Sequence, residues 1–380
     1  MKYGLLYYKD TNNIGDDIQT YAAARFLPRI DYMIDRENLE SFIPKKKEYV
    51  HTIMNAWYVH DRYNFNFSPY IYPLYISMFF KKFPYEDGVT YGTDYLNNNV
   101  ISDLKKYGPV GTRDLHTKKI LDNLNVDNYF SGCLTLTIEK FKNIKKDNYI
   151  VVNGLKEEEI DFIKSKTNRP IKVIKQDVKI KSFSDENWDT RKNRVEEILK
   201  IYQGAHMVIT NKLHCSLPCL ALETPILLLY DKSFKENKDR IGTYLEYLNY
   251  IDRDKFLNSN IDFDNPKPNS NNYLKLRKSL IKKCEKFVST NLNTSQNELP
   301  NIDEYKKYVS MSIASRKPII KHLKKLSNIY VKECEKASKM HDEINKLKNE
   351  NNELLYRLNR IENSKAYKCY RKLSKLIRKK

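Results

Sequence analysis

The chain is poor in glycine, with 10 among 380 residues, and neither G-x-G-x-x-G nor Walker spacing occurs in it. Nucleotide binding through those two phosphate loops is therefore excluded. Six cysteines (Cys133, Cys215, Cys219, Cys284, Cys334, Cys369) form no C-x-x-C pair and no zinc-ligand spacing. So few cysteines in so long a chain do not make a secreted disulfide scaffold. Long hydrophobic runs are missing as well. The longest mostly apolar one, residues 71–80, is too short to span a bilayer. The start, Met-Lys-Tyr-Gly-Leu-Leu-Tyr-Tyr, is too short for the apolar core of a signal peptide. These absences predict a reduced, cytoplasmic protein.

Acidic residues are scarce where the chain ends. Net charge is +20, and residues 301–380 hold 22 Lys/Arg against 9 Asp/Glu, a balance of +13. The basicity belongs to the tail and gives no ground for a specific nucleic-acid-binding core. The rest is ordinary: 41% hydrophobic residues, and length enough for two cores and an appendage.

Strand-like and helix-like segments alternate along the chain. Residues 2–8 read as a strand and 14–27 as a helix with Asp16 and Asp17 in its first turn, where carboxylates suit the macrodipole. Further strands are expected at 32–35, 50–54 and 72–80, and a strand turning into a helix at 109–121. A second half begins near residue 146, with strands at 148–152 and 171–178, helices at 157–166 and 188–202, and two strands flanking a short apolar helix at 207–230. Such alternation implies βαβ units and parallel sheets. The expected fold is α/β, with two Rossmann-like domains (1–145 and 146–298) followed by a helical tail (299–380).

The chemistry gathers at strand ends. Thr210-Asn-Lys-Leu-His-Cys-Ser-Leu-Pro-Cys-Leu-Ala-Leu-Glu-Thr-Pro225 links two buried strands and sets Lys212 and His214 at the carboxyl end of the first. Ligands of open α/β sheets bind there, and helix N-termini favour anions. His214 is the candidate acid or base; the alternative is a satisfied core histidine. Arg113, two residues after Gly111 at a strand–helix junction, is a candidate anion clamp, or half of an ion pair with Asp114. The turn at 13–17 offers Asn13, Gly15 and Asp16 to a ligand, unless it is plain helix capping.

Four motifs in order resemble the polysaccharide pyruvyl transferase family: Asn12-Asn-Ile-Gly-Asp-Asp-Ile-Gln-Thr-Tyr-Ala-Ala, Gly111-Thr-Arg-Asp, Phe130-Ser-Gly-Cys-Leu-Thr-Leu-Thr, and the stretch from Thr210 to Pro225. The likeness covers about residues 1–250. It implies a GT-B-like arrangement of the two domains and a metal-independent transfer of the enolpyruvyl carbons of phosphoenolpyruvate onto a sugar hydroxyl, usually as a pyruvate ketal on a cell-surface glycan. The donor is a substrate, and no cofactor is implied. The resemblance makes Arg113 and Lys212, with Asn13 and Gly15, the donor-binding residues, and His214, then Asp16, the catalytic ones. Lys212 stands where the family usually has Arg, replacing a bidentate fork with a point charge.

Two other functions fit the same residues: a GT-B glycosyltransferase using a nucleotide-sugar, and a non-catalytic scaffold in glycan assembly. The tail adds partners. Ile344, Leu347, Asn351, Leu354, Leu358 and Ile361 recur at alternating steps of three and four, an a/d seam with Asn351 at an a position. Homodimerisation through 337–361 is one expectation, and packing on the chain's own domain the other. Residues 364–380 alternate basic and apolar side chains, a pattern suited to an anionic inner membrane surface.

Overall fold

The computed structural model describes residues 1–58, 65–84, 91–93, 95–176, 187–233, 238, 240–290, 298–365 and 367. Met1–Val309 forms one compact unit and Ser310–Lys380 a second.

The first unit holds two larger sheets, both parallel throughout. One has β1 (Lys2–Tyr7), β2 (Tyr32–Asp35), β3 (Val50–Met54) and, beyond β4 (Trp57–Tyr58), β5 (Ile71–Tyr75), in the order β2-β1-β3-β5. Helix α1 (Ile14–Ala24) connects β1 to β2. Short pairs follow: β4 with β6 (Phe79–Phe80), β7 (Phe83–Pro84) with β8 (Tyr91–Gly92), and β9 (Val110–Thr112) with β10 (Asn128–Phe130). Helices α2 (Asn98–Lys106) and α3 (Leu115–Asn123) flank β9. The second sheet has β11 (Ile150–Asn153), β12 (Ile171–Ile174), β13 (Met207–Thr210), β14 (Ile226–Tyr230) and β15 (Tyr250–Asp252), in the order β12-β11-β13-β14-β15. Helices α4 (Glu157–Lys166), α5 (Trp188–Gly204), α6 (Leu213–Ala221) and α7 (Leu274–Ser289) belong to this half. Its central strands are buried along their whole length, as parallel strands covered on both faces must be.

One strand reads differently from its sequence. The run at 72–80 breaks into β5 and β6 because Ser77 takes a left-handed φ of 54°, which no strand accommodates. Pro73 is tolerated inside β5 because that strand lies at the sheet edge. The strand expected at 171–178 ends at Ile174, and residues 177–178 lie outside the described ones.

A single core joins the halves. Ile14, Ile18 and Ala22 of α1 cluster with Val195 and Leu199 of α5 and with Leu213 and Leu217 of α6. Helix α1, with Leu134 and Leu136, is thus packed against both halves.

Helix α8 (Ile302–Asn363) opens in the first unit, where Tyr305 and Val309 bury against Tyr70 and Leu299. In the second unit the seam residues Ile344, Leu347, Leu354, Leu358 and Ile361 are between 47% and 62% exposed. The basic run expected at 364–380 lies outside the described residues except for Ser364, Lys365 and Tyr367. No described helix is long and apolar enough to cross a membrane.

Candidate active site

The site is built on the N-terminus of α1. Asn13 caps the helix: its extended backbone turns the chain and its Oδ1 accepts from the Gly15 amide at 2.8 Å. The capping reading therefore holds for the Asn13 side chain. Asp16, 7% exposed, accepts from Thr11 Oγ1 at 2.7 Å, Arg36 Nη1 at 3.0 Å and Gln19 Nε2 at 3.3 Å. Burial opposes its ionisation. Arg36 and the Thr11 hydroxyl outweigh that and hold the carboxyl below its ordinary range. Asp17 faces the other half, where both Arg191 Nη2 (2.6 Å) and Nε (3.0 Å) donate to its Oδ1. Burial still raises the Asp17 carboxyl above its ordinary value.

His214 comes from the second half and lies against Gly15. A Cβ at position 15 would stand 3.2 Å from both His214 Cβ and Nδ1, so a side chain there would press the imidazole away from α1. The local backbone follows from Pro218. Proline has no N–H for the carbonyl four residues back, so the His214 carbonyl is left without its helical partner. His214 departs from helical angles (φ −83°, ψ 17°), and its carbonyl instead accepts from Gln176 Nε2 at 3.1 Å. The Gln176 carbonyl in turn accepts from the Ile14 amide at 3.1 Å, fastening the two helix starts together. Burial, then the Arg113 and Arg240 guanidinium groups, depress the imidazole well below its usual pKa. His214 is neutral at physiological pH.

Arg113 follows directly on β9 and is 1% exposed. Its Nη1 donates to Gln19 Oε1 at 2.7 Å and its guanidinium lies 4.9 Å over the Phe79 ring. It makes no ion pair with Asp114, whose Oδ1 caps α3 by accepting from the Thr117 amide at 2.7 Å. Lys212 stands at the N-cap of α6, its amide donating to Thr210 Oγ1 at 3.0 Å. Its Cε passes 3.2 Å from where a Cβ on Gly154 would lie, beyond the carboxyl end of β11.

Asn13, Gly15, Asp16, Arg113 and His214 thus converge, with Gln19 spanning Asp16 and Arg113. Four buried donor or acceptor nitrogens here have no hydrogen-bond partner: Arg113 Nε and Nη2, Arg36 Nη2 and His214 Nε2. Buried polar atoms are normally paired, so these four nitrogens are left available to a ligand rich in acceptors. Among the described residues no group of three His, Cys, Asp or Glu side chains is placed to hold a metal.

Sequence reading missed Arg36, Gln19, Gln176 and the Asp17–Arg191 pair. Arg36 carried a signal: it is the first residue past β2, as Arg113 is the first past β9. The amides carried none, since their partners depend on which helices meet.

Comparison with known proteins agrees with the motifs. The polysaccharide pyruvyl transferase family model matches residues 13–233. No match emerges among curated proteins. Among solved structures, an uncharacterised protein from Klebsiella pneumoniae subsp. pneumoniae NTUH-K2044 is similar with a TM-score of 0.40 and 10% identity, over 66% of this chain and 93% of that one. The wall teichoic acid polymerase TagF (an H444N variant with CDPG) gives 0.34 and 11%, over 84% and 89%. The UDP-GlcNAc 2-epimerase from Methanocaldococcus jannaschii, in complex with UDP-GlcNAc and UDP, gives 0.31 and 12%, over 83% and 100%. Since the family model spans more than half of the chain and contains Asn13, Gly15, Asp16, Arg113, Lys212 and His214, the chain belongs to the polysaccharide pyruvyl transferase family, a family of transferases.

Proposed function

We propose that the protein moves the enolpyruvyl carbons of phosphoenolpyruvate onto a sugar of a cell-surface glycan precursor, forming a pyruvate ketal, with its halves arranged as in GT-B enzymes. The observation that carries this reading is the set of buried, unpartnered nitrogens on Arg113 and His214. Phosphoenolpyruvate brings a carboxylate and a phosphate, and such oxygens are what buried guanidinium nitrogens pair with best. Arg113 takes the donor anion from the N-terminal half and Lys212 from the C-terminal half.

In the overall reaction C2 of the donor gains two sugar oxygens and loses the phosphate oxygen. One hydroxyl proton ends on C3, converting the methylene to a methyl group, and the other leaves with phosphate. A neutral imidazole is suited to receive the first hydroxyl proton, and neutrality is what the burial of His214 enforces. The donor's negative charge then stabilises the imidazolium, which delivers the proton to C3. Asp16, held by Thr11, Arg36 and Gln19, orients this machinery and keeps its charge beside His214.

Residues 364–380 supply peripheral attachment to an anionic membrane surface, and 337–361 a homodimer seam. Calorimetric titration with phosphoenolpyruvate tests the catalytic reading. Binding that weakens about 10- to 100-fold in Arg113→Ala, the scale of a lost charged hydrogen bond, supports it. Binding of a nucleotide-sugar in place of phosphoenolpyruvate favours a glycosyltransferase. Neither binding, with the tail alone needed in cells, favours a scaffold.

A further inference from the structure

Arg36 and Asn55 extend the site toward the first sheet. Both are 4% exposed, and both line one small cavity together with Tyr8, Asp16, Gln19 and Thr20. Two polar atoms of this pair have no partner: Arg36 Nη2 and Asn55 Oδ1. Chemistry fixes both orientations. The Asn55 amide nitrogen donates to the Gln19 carbonyl at 2.8 Å; a carbonyl only accepts, so the amide oxygen is the atom left over. Arg36 commits Nη1 to Asp16 at 3.0 Å and Nε to Glu37 at 3.1 Å, leaving Nη2.

The residues lining the cavity thus leave one donor and one acceptor unpaired beside an ionised carboxylate. A carboxylate or phosphate oxygen satisfies Arg36 but is repelled by Asn55 Oδ1 and Asp16. An ammonium satisfies Asn55 and opposes Arg36. A hydroxyl both donates and accepts, and it alone of the three satisfies the pair. We infer that Arg36 and Asn55 form a subsite that seats one hydroxyl of the acceptor sugar. This rests on the transfer reaction proposed above and divides its site in two. Gln19 lies between the poles, its side-chain oxygen on Arg113 and its carbonyl on Asn55. The donor anion belongs on the Arg113 and His214 side, and the acceptor on the Arg36 and Asn55 side. A site that hydrogen-bonds a substrate hydroxyl discriminates strongly against the analogue that lacks it.

The test uses the full chain saturated with phosphoenolpyruvate and a panel of methyl hexosides with their monodeoxy analogues, read by saturation-transfer NMR. The expected result is that removing one particular hydroxyl weakens binding at least about tenfold, and that Asn55→Leu binds the parent and that analogue equally. Cooperative unfolding followed by tryptophan fluorescence checks that the variant folds. Should it not fold, Arg36→Lys, which keeps a cation on Asp16 but removes Nη2, takes its place and should abolish the same discrimination. Three results would overturn the subsite: no hexoside binds, every deoxy analogue binds like its parent, or Asn55→Leu discriminates as the wild type does. The last would identify the cavity as a water site only. Failure of phosphoenolpyruvate itself to bind would sink the transfer reading instead.

Discussion

Asp114→Asn should make the protein more stable at neutral pH. Asp114 is 1% exposed, its Oδ1 caps α3, and its Oδ2 is buried without a partner. Burial pushes its pKa from 3.8 to about 6, outweighing the opposing pull of Arg113 and the Thr117 amide. Each factor of ten in proton affinity corresponds to about 1.4 kcal/mol, so the ionised carboxylate weakens the fold by about 3 kcal/mol relative to its protonated form. The sign follows from the raised pKa. The contribution is complete below 3.8, where folded and unfolded chains are both protonated, and is lost as pH rises through about 6. Asparagine keeps the capping oxygen at nearly the same volume and has no charge to bury. That figure is already net of the charge-assisted cap, and asparagine caps a helix about as well as aspartate, so the variant should gain about 3 kcal/mol at neutral pH. The gap should close on acidification to about pH 4. Urea denaturation suits the measurement, because both tryptophans, Trp57 and Trp188, lie in the first unit. Comparing variant with wild type at each pH cancels the acid sensitivity of Asp16. A variant less stable at neutral pH, or a gap that acid leaves unchanged, would mean that Arg113 stabilises the carboxylate more than burial disfavours it.

Removing one partner of the buried Asp17–Arg191 pair should cost about 3–5 kcal/mol, seen as a lowered urea midpoint in Arg191→Met. The raised pKa of Asp17 predicts partial recovery in acid, where the stranded carboxylate protonates. Gly15→Ala, a change that in an open helix site stabilises by roughly 0.5–1 kcal/mol, should instead destabilise. Its Cβ would meet Asn13 Oδ1 at 2.9 Å and His214 at 3.2 Å, and phosphoenolpyruvate affinity should fall with it; a rise in melting temperature with affinity intact would contradict this. For the tail, Asn351→Cys should form an intermolecular disulfide under mild oxidation, since an a position faces its own copy in a parallel, in-register pair. Sedimentation at the monomer mass would end the dimer proposal. A chain ending near residue 325 should still bind phosphoenolpyruvate but no longer co-sediment with anionic vesicles, and undiminished co-sedimentation would reject the membrane role.

The sheets were legible because parallel strands leave continuous apolar runs such as Ile226–Tyr230, bounded by turn residues. His214 and Arg113 were legible because architecture alone gives meaning to a polar residue just past a strand. Arg36 obeys the same rule yet sits between Asp35 and Glu37, where the charges read as a solvated turn. Its burial depends on Tyr8, whose ring lies 4.0 Å from the guanidinium carbon, and on Asp16, twenty residues away. The break at Ser77 was hidden because left-handed φ in a non-glycine residue has no compositional mark. Pro218 was visible as a helix breaker; its consequence, a carbonyl freed for Gln176, needed the fold.

The way α1 is held determines how the site works. Its apolar face packs Ile14, Ile18 and Ala22 against Val195, Leu199, Leu213 and Leu217, none more than 3% exposed. Opening the halves along this seam would expose several of these side chains at about 1.5–3 kcal/mol for each one fully exposed. The Ile14–Gln176–His214 linkage would break with them. Arg113, Gln19, Asp16 and His214 are therefore held together by the fold itself, and in the proposed transfer the binding energy of the donor need not be spent on bringing them together. On the proposed reaction the unpartnered nitrogens follow from the same constraint: a site fixed in advance holds its donors where substrate charge is to be bound. Stability is given up at these positions, as the raised Asp114 carboxyl illustrates. Variants that neutralise Asp114 should for that reason gain stability, while those that truncate Arg113 lose phosphoenolpyruvate affinity. One denaturation series and one titration series on the two variants would show whether stability and donor affinity separate at this adjacent pair of residues.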